Sequence, residues 1–370
     1  MDFQILSLIG IILGVACLIF LVFRSISILI VAPLASVVIA LFSGDNIVTA
    51  LTGPYIEGFV NFAQSNFFIF FFSAIFGKLM GDCGAAQSIA YKFARVVKKL
   101  PDRYQKVSAV LSLVVLSLIF TLCGISSFVV VFGIRPIIDG RRGPMKLRES
   151  LEDQVMAMAE AAKKLFEEVD VPWRFYTCAP LGSGVIAQSM IPGSPSIHNI
   201  IPTEYLGTTT MAAPVIGLIC SVVAAIIGTA YITHIVRKAD RNGEGFLPSG
   251  TLIKQTEIKA DEDPQIPLLK CLAPSILLLI ILNVLKQDAV TALIAAIIAT
   301  YVLFFKTLKG HMIESLTGGA QNAVSTTMNV CSVVGFGVVA TSVGGYDFLV
   351  GALENMPGPP IVQMIVAINV

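Results

Sequence analysis

Long uncharged runs, separated by short polar or glycine- and proline-bearing stretches, set the rhythm of this chain. A membrane-spanning helix needs about 20 consecutive apolar residues. Stretches of that order cover residues 5–23, 25–44, 60–77, 107–134, 175–197, 205–233, 271–285, 289–305 and 315–346, with a last one at 356–370. The first two are separated by little more than Arg24 and predict a helical hairpin. Residues 5–23 are longer than the apolar core of a cleavable signal, and no small-residue cleavage site follows. Residues 271–285 are short for a crossing, but Leu268, Leu269 and a snorkelling Lys270 extend them. Residues 107–134 are too long for one straight helix and are interrupted at GISS, residues 124–127. Residues 315–346 are similarly long and rich in Gly, Ser and Thr.

Residues 182–199 break this rhythm. They are uncharged up to His198, yet they hold Pro192, Gly193 and Pro195. Broken backbone at membrane depth is tolerated only where protein buries it or where it lines a polar cavity. In transporters such breaks mark where solute binds. Charge adds a second argument for a hairpin that turns back. Basic loops mark the cytoplasmic side. The basic clusters are Lys92, Arg95, Lys98, Lys99, Arg103 and Lys106, then Arg237, Lys238 and Arg241, then Lys306 and Lys309. Counting spans does not bring all three to one side. The first two agree only if 175–197 re-enters instead of crossing.

Composition agrees with a membrane chain. Hydrophobic residues make up 55% of it and charged residues 13%, where soluble domains carry about 25% charged. The net charge of +1 gives no argument for nucleic acid or an acidic partner. His198, His234 and His311 lie far apart, without metal-ligand spacing, and no cofactor is expected. The seven cysteines lie mostly in apolar runs and read as small packing residues.

A faint repeat is visible. FGKLMGDCGAAQSI, residues 76–89, aligns with FGVVATSVGGYDFL, residues 336–349; each follows a long apolar helix and turns at a glycine, Gly84 or Gly344. Two-fold internal repeats are the usual construction of secondary transporters. On this reading the counterpart of the 182–199 hairpin falls beyond residue 370, the second repeat is incomplete, and this chain transports poorly by itself. Residues 135–170 stand apart, with 15 charged residues. Leu147, Leu151, Val155, Met158, Ala162, Leu165 and Val169 recur there at helical spacing. They predict an amphipathic helix, either lying on the membrane or in a soluble domain. The expected divisions are 1–134, a first transmembrane part; 135–170, a charged insert; 171–236, hairpin and span; 237–267, a hydrophilic linker; and 268–370, the second repeat.

Three motifs carry a resemblance: IFGKLMGDCGAAQSIA at 75–90, GISSFVVVF at 124–132 and PGSPSIHNIIPT at 192–203. With them the chain resembles the GntP-type gluconate:proton symporter (permease) family over roughly 1–133 and 167–370. That resemblance implies secondary transport of gluconate or a related hydroxy-carboxylate with protons, in a bacterial inner membrane. Other members carry hydroxybutyrate or D-serine. Better-studied gluconate permeases look richer in His and Pro at 191–195, which leaves the solute open. GIRPIIDGRRG at 133–143 and LRESLEDQVMAMA at 147–159 resemble the N-terminus of L-fucose isomerase. That enzyme's metal-binding residues have no counterpart here, so enzymatic activity is not implied. A chimeric reading frame and a loop insertion with an accidental match are the two explanations.

A small organic anion needs hydroxyl and amide donors and close backbone approach. Pro192, Gly193, Ser194, Ser196 and Asn199 supply these in one run, and Ser126 and Ser127 form a second set. Backbone-bonded helix serines are the alternative for the latter pair. Proton coupling calls for an ionisable group; Asp82 and His198 are the candidates. Asp82 also reads as a helix-end residue, His198 as a structural one, and Lys78 as a side chain snorkelling to the surface. Thr326, Thr327 and Asn329 are weaker solute contacts, with helix packing as their alternative.

The expectation is an all-α, polytopic membrane transporter of about ten hydrophobic segments, with a re-entrant hairpin and an inverted-repeat organisation. It would handle a small organic anion and protons in a lipid bilayer. The alternative is a non-transporting, truncated or chimeric membrane fragment. Oligomeric state is not readable.

Overall fold

The computed structural model describes residues 3–24, 26–85, 99–122, 169–194, 207–246 and 266–355, with a few positions between them. Among these residues every regular element is helical. Helices α1 (Phe3–Phe23) and α2 (Ile28–Ser43) form the expected N-terminal hairpin. Gly44 ends α2 in the left-handed region, at φ 71°, with its N–H returned to Ala40 O. A short α3 (Ile47–Ala50) is capped by Asn46, whose side chain accepts from the Val48 and Thr49 amides. A π turn, Leu51–Tyr55, follows. Its Pro54 has no N–H and would press its ring on the carbonyl four residues back, so the turn opens. Helix α4 (Ile56–Asp82) then runs on.

Helix α5 spans Asp102–Leu122. Residues 123–164 lie outside the described residues, and with them the break at 124–127 and most of the charged insert. The expected hairpin begins with a 3₁₀ segment, Trp173–Cys178, and a π segment, Leu181–Gln188. Then come α6 (Pro214–Arg241), α7 (Leu268–Asn283), α8 (Ala289–Leu303), α9 (Phe305–Leu308), α10 (Met312–Ser342) and α11 (Gly344–Glu354). Four of these stretches, Gln4–Phe23, Ile47–Asp82, Pro214–Arg241 and Met312–Ser342, are long and apolar enough to cross a membrane. The shorter apolar helices are Ile28–Ser43, Tyr104–Ile119, Leu268–Asn283 and Ala289–Leu303.

Boundaries moved where charge was taken as a stop. The 60–77 run is only the middle of α4, because Lys78 and Asp82 are helical and pair with each other. The 205–233 run starts at Pro214, a residue pre-set for the first helical turn. It continues to Arg241, where Lys238 and Arg241 meet the negative end of the helix dipole. The 315–346 run is two helices, divided by Val343 in extended conformation. On α6 the side chains of Val215, Ile216, Leu218, Ile226, Ile227 and Tyr231 are each more than half exposed. An apolar face of that kind suits lipid.

The element order recurs. Hairpin, short helix, long helix and break are α1–α2, α3, α4 and residues 83–84 in the first instance. They are α7–α8, α9, α10 and Val343 in the second. The chain folds as two compact units, Met1–Phe67 with Val324–Val370, and Phe68–Ala323. Each unit takes its hairpin from one repeat and the break-bearing end of a long helix from the other.

In the first unit Ala32, Ala35 and Ile39 of α2 pack with Tyr55, Phe336, Val339 and Val343. The α1–α2 contact is close: a Cβ on Gly10 would lie 2.6 Å from the Phe42 Cβ. Ser7 and Ser43 share a hydroxyl bond of 2.9 Å, and Ser7 Oγ also accepts the Gly345 N–H at 3.0 Å. Tyr55 and Ser332 share another, at 2.6 Å. Among the described residues no buried side-chain polar atom of this unit lacks a hydrogen-bond partner. In the second unit the core joins Phe76, Leu79 and Met80 of α4, Leu113 of α5, Leu278 of α7 and Ala296 of α8.

Candidate functional site

The broken segment is anchored at its start and tied down at its tip. Phe166 meets Trp173 edge-on at 6.0 Å, and Trp173 stacks on Tyr176 at 4.7 Å. Ser117 of α5 donates to Ala179 O at 2.6 Å and lies 2.9 Å from Val114 O. Gly182 sits so close to α5 that a Cβ there would overlap Val114 O. On the other side α6 approaches through Gly217, where a Cβ would lie 2.7 Å from Met190 O. The sequence explains the irregularity. Pro172, Pro180 and Pro192 each remove a backbone donor, and the π stretch widens the turn between them. π segments of this kind recur at functional sites.

The tip is tied together by its own side chains. Ser196 Oγ donates to Gln188 O at 2.8 Å. Asn199 Nδ2 donates to Ile191 O at 2.8 Å and reaches Ser194 O at 3.4 Å. Gly193 adopts φ 73°, a conformation that a side chain disfavours. Its N–H donates to Thr210 O at 2.8 Å, and its carbonyl accepts from Asn283 Nδ2 at 2.9 Å. A Cβ on Gly193 would strike the Asn283 side-chain oxygen. Ser194 is fully buried and its hydroxyl has no partner; the same is true of Asn283 Oδ1.

The sequence candidates therefore separate. Ser196 and Asn199 spend their side-chain donors on the turn. Ser194 keeps its hydroxyl available at the same turn, next to Gly193. Pro192 is half-buried beside them, and His198 is exposed. Ser126 and Ser127 lie outside the described residues. Thr327 is buried and Thr326 and Asn329 are half-buried on α10, within the first unit.

Asp82 is not alone. Lys78, expected to snorkel outward, is only 7% exposed and pairs with Asp82 at 2.9 Å. A carboxylate at a helix C-terminus is opposed by the dipole, and Lys preceding its acid by four is the weaker order for such pairs. Desolvating both charges costs several kcal/mol per ion before their attraction offsets it. Local helix energetics do not call for this pair. Sequence reasoning treated its two members separately, although the i,i+4 spacing was a readable signal. It missed Asn283 altogether; the signal was a lone amide closing the apolar run LLLIILN, residues 277–283.

Residues 6–137 match the GntP family permease model. The chain is also 25% identical over 397 residues to the uncharacterized transporter YxjC of Bacillus subtilis (strain 168), covering 97% of this chain and 78% of that one. An L-fucose isomerase of Clostridium perfringens (strain 13 / Type A) is 41% identical over 80 residues, 22% of this chain and 12% of the enzyme. The permease match, the transporter relative and the long apolar helices together mark an integral membrane transporter. The isomerase likeness is confined to a short part of the chain.

Proposed function

We propose that the chain carries a small organic anion across the membrane by secondary active transport, with gluconate or a related hydroxy-carboxylate as solute and protons as the driving ion. The observation that carries this reading is the turn through Gly193 and Ser194, where the backbone is buried and the Ser194 hydroxyl has no partner. A buried hydroxyl left unbonded costs about 1–3 kcal/mol, and a carboxylate oxygen arriving there would recover that. Gly193 keeps the turn bare of side chain. Pro192, Ser196 and Asn199 hold its shape, and Ser126, Ser127, Thr326, Thr327 and Asn329 remain candidates for further contacts.

For the proton, Asp82 is the better of the two ionisable candidates, because His198 is exposed while Asp82 is paired inside the second unit. A proton on Asp82 would cancel the carboxylate that holds Lys78. Hydroxybutyrate and D-serine are the alternative solutes, and a bacterial inner membrane is the compartment that fits the relatives.

The test is uptake of labelled gluconate into vesicles holding the purified chain, with an inward proton gradient and then with an uncoupler. Saturable uptake that collapses on uncoupling supports the reading. Uptake indifferent to the uncoupler would remove proton coupling, and none above empty vesicles would remove gluconate.

A further inference from the structure

We infer that Asn283, at the end of α7 and outside the hairpin, reads the hydroxyl group of the solute and so separates hydroxy acids from their deoxy counterparts. The inference rests on the transport reading above and goes beyond it by naming a recognition residue on another element.

The argument starts from the amide's orientation. Gly193 O can only accept, so the Asn283 nitrogen must face it, as the 2.9 Å contact has it. That leaves Oδ1 as the amide's unused acceptor, lying against Gly193, shielded from solvent and meeting no donor. An amide oxygen is an acceptor only. The neighbouring orphan, Ser194 Oγ, directly follows the residue that Asn283 holds, and it can donate. One unused donor and one unused acceptor at a single turn match a solute that brings an acceptor and a donor of its own. A carboxylate with a hydroxyl nearby is such a solute. A neutral amide oxygen satisfies one O–H; an ammonium, with three donors and a charge, would ask for more acceptors than this turn offers. The asymmetry of loss sharpens the selection. A solute without the hydroxyl leaves Oδ1 buried and unbonded, which is the strongest way a site rejects a near-isostere.

Both atoms are closed off in this structure, so a solute reaches them when the turn lifts from α7. The Asn283–Gly193 bond is the contact that such a movement breaks, which puts recognition and opening on one side chain.

The test uses vesicles holding the full chain and three labelled probes: gluconate, 3-hydroxybutyrate and butyrate. The parent should take up at least one of the two hydroxy acids with kcat/KM three- to tenfold above that for butyrate. Asn283→Leu should bring the ratio of hydroxy-acid to butyrate kcat/KM to about one, whatever the change in the absolute rates. Asn283→Ala gives the same readout should the Leu variant fail to reach the membrane. A variant that keeps the parent's preference, or that loses all three probes equally, would overturn the role of Asn283 and leave the transport reading standing. A parent that moves none of the three overturns the transport reading itself, and the inference with it.

Discussion

The two units are built from the same kinds of parts and differ in how completely they satisfy themselves. In the first, among the described residues, every buried polar side chain is bonded: Ser7 to Ser43, Ser36 to Ala32 O, Asn66 to Phe62 O, Tyr55 to Ser332. In the second, Tyr176, Ser194, Ser275, Asn283 and Ser315 each keep a buried polar atom without a partner. The helix breaks differ in the same sense. Aligning Phe76 with Phe336 sets Lys78 and Asp82 against Val338 and Ser342. Ser342 bonds back to Val339 O of its own helix at 2.9 Å, whereas Asp82 faces Lys78. The hairpin ends differ too: α7 closes on Asn283, half-buried and bonded to Gly193, and α1 closes on Phe23, 72% exposed. A buried polar group without a partner calls for an explanation, with an ordered water and a bound solute among the choices. Among the described residues the first unit satisfies its own buried polar side chains, and the second holds the proposed solute site.

Charge is where the comparison should break hardest. Asp82→Asn removes the carboxylate of a largely buried ion pair and should cost about 3–5 kcal/mol. Replacing both, Lys78→Val with Asp82→Ser, copies the other repeat and should recover most of that stability while losing proton-driven uptake. Melting in detergent and uptake in vesicles read the two effects separately. A double variant that still couples to protons would mean that the ionic break is structural.

Glycine comes next. Gly193→Val adds a branched side chain at φ 73° against Asn283 and should cost about 3 kcal/mol in strain and overpacking together. Gly344→Val meets open space and should melt within about 0.5 kcal/mol of the parent, as surface changes do. Equal losses at the two sites would erase the distinction.

Much of this was legible in the sequence. The apolar runs gave the helices, because a bilayer demands length and lack of charge and little else. Pro192 and Gly193 gave the broken turn, because both residues have local meaning wherever they occur. The sequence could not say which hydroxyl at the turn stays unbonded. Ser194 and Ser196 look alike on paper; only the fold brings Gln188 O to one of them. Asn283 stood out only as a lone amide closing an apolar run, since its value lies in a contact with a residue 90 positions earlier. Lys78 was misread because charge in an apolar helix was judged one residue at a time.

The serines offer a finer test. Ser332→Ala strands the buried Tyr55 hydroxyl and should destabilise by about 1–3 kcal/mol. Ser194→Ala removes an atom that already lacks a partner, so the protein should melt no lower than the parent while solute uptake weakens. A lower melting point in the Ser194 variant would reveal a structural bond there.

The smallest effect belongs to the hairpin caps. Asp288 caps α8, accepting from the Thr291 N–H at 2.9 Å and the Thr291 hydroxyl at 2.6 Å, whereas Ser27 before α2 makes no side-chain cap bond. Asp288→Ala should cost about 1 kcal/mol at neutral pH. The Thr291 hydroxyl, and then its N–H, hold the Asp288 carboxyl below the usual carboxylate range. Its contribution is therefore present above about pH 3.9, the unfolded value, and is lost as pH falls through the lower folded value. The gap in melting temperature between parent and variant should close on acidification. Ser27→Ala should show no comparable gap at any pH.

The bond between Ser7 and the Gly345 amide joins residues 338 positions apart. A ribosome adding about 5–20 residues per second reaches Gly345 roughly 20–70 s after Ser7. For that interval the newborn α1–α2 pair sits in the bilayer with one polar edge uncovered and its proper neighbour not yet made. The Met1–Phe67 and Val324–Val370 parts of the first unit thus meet only after the whole sequence of the second unit has been made, and a ribosome stalled before Gly345 leaves α1 and α2 without that bond.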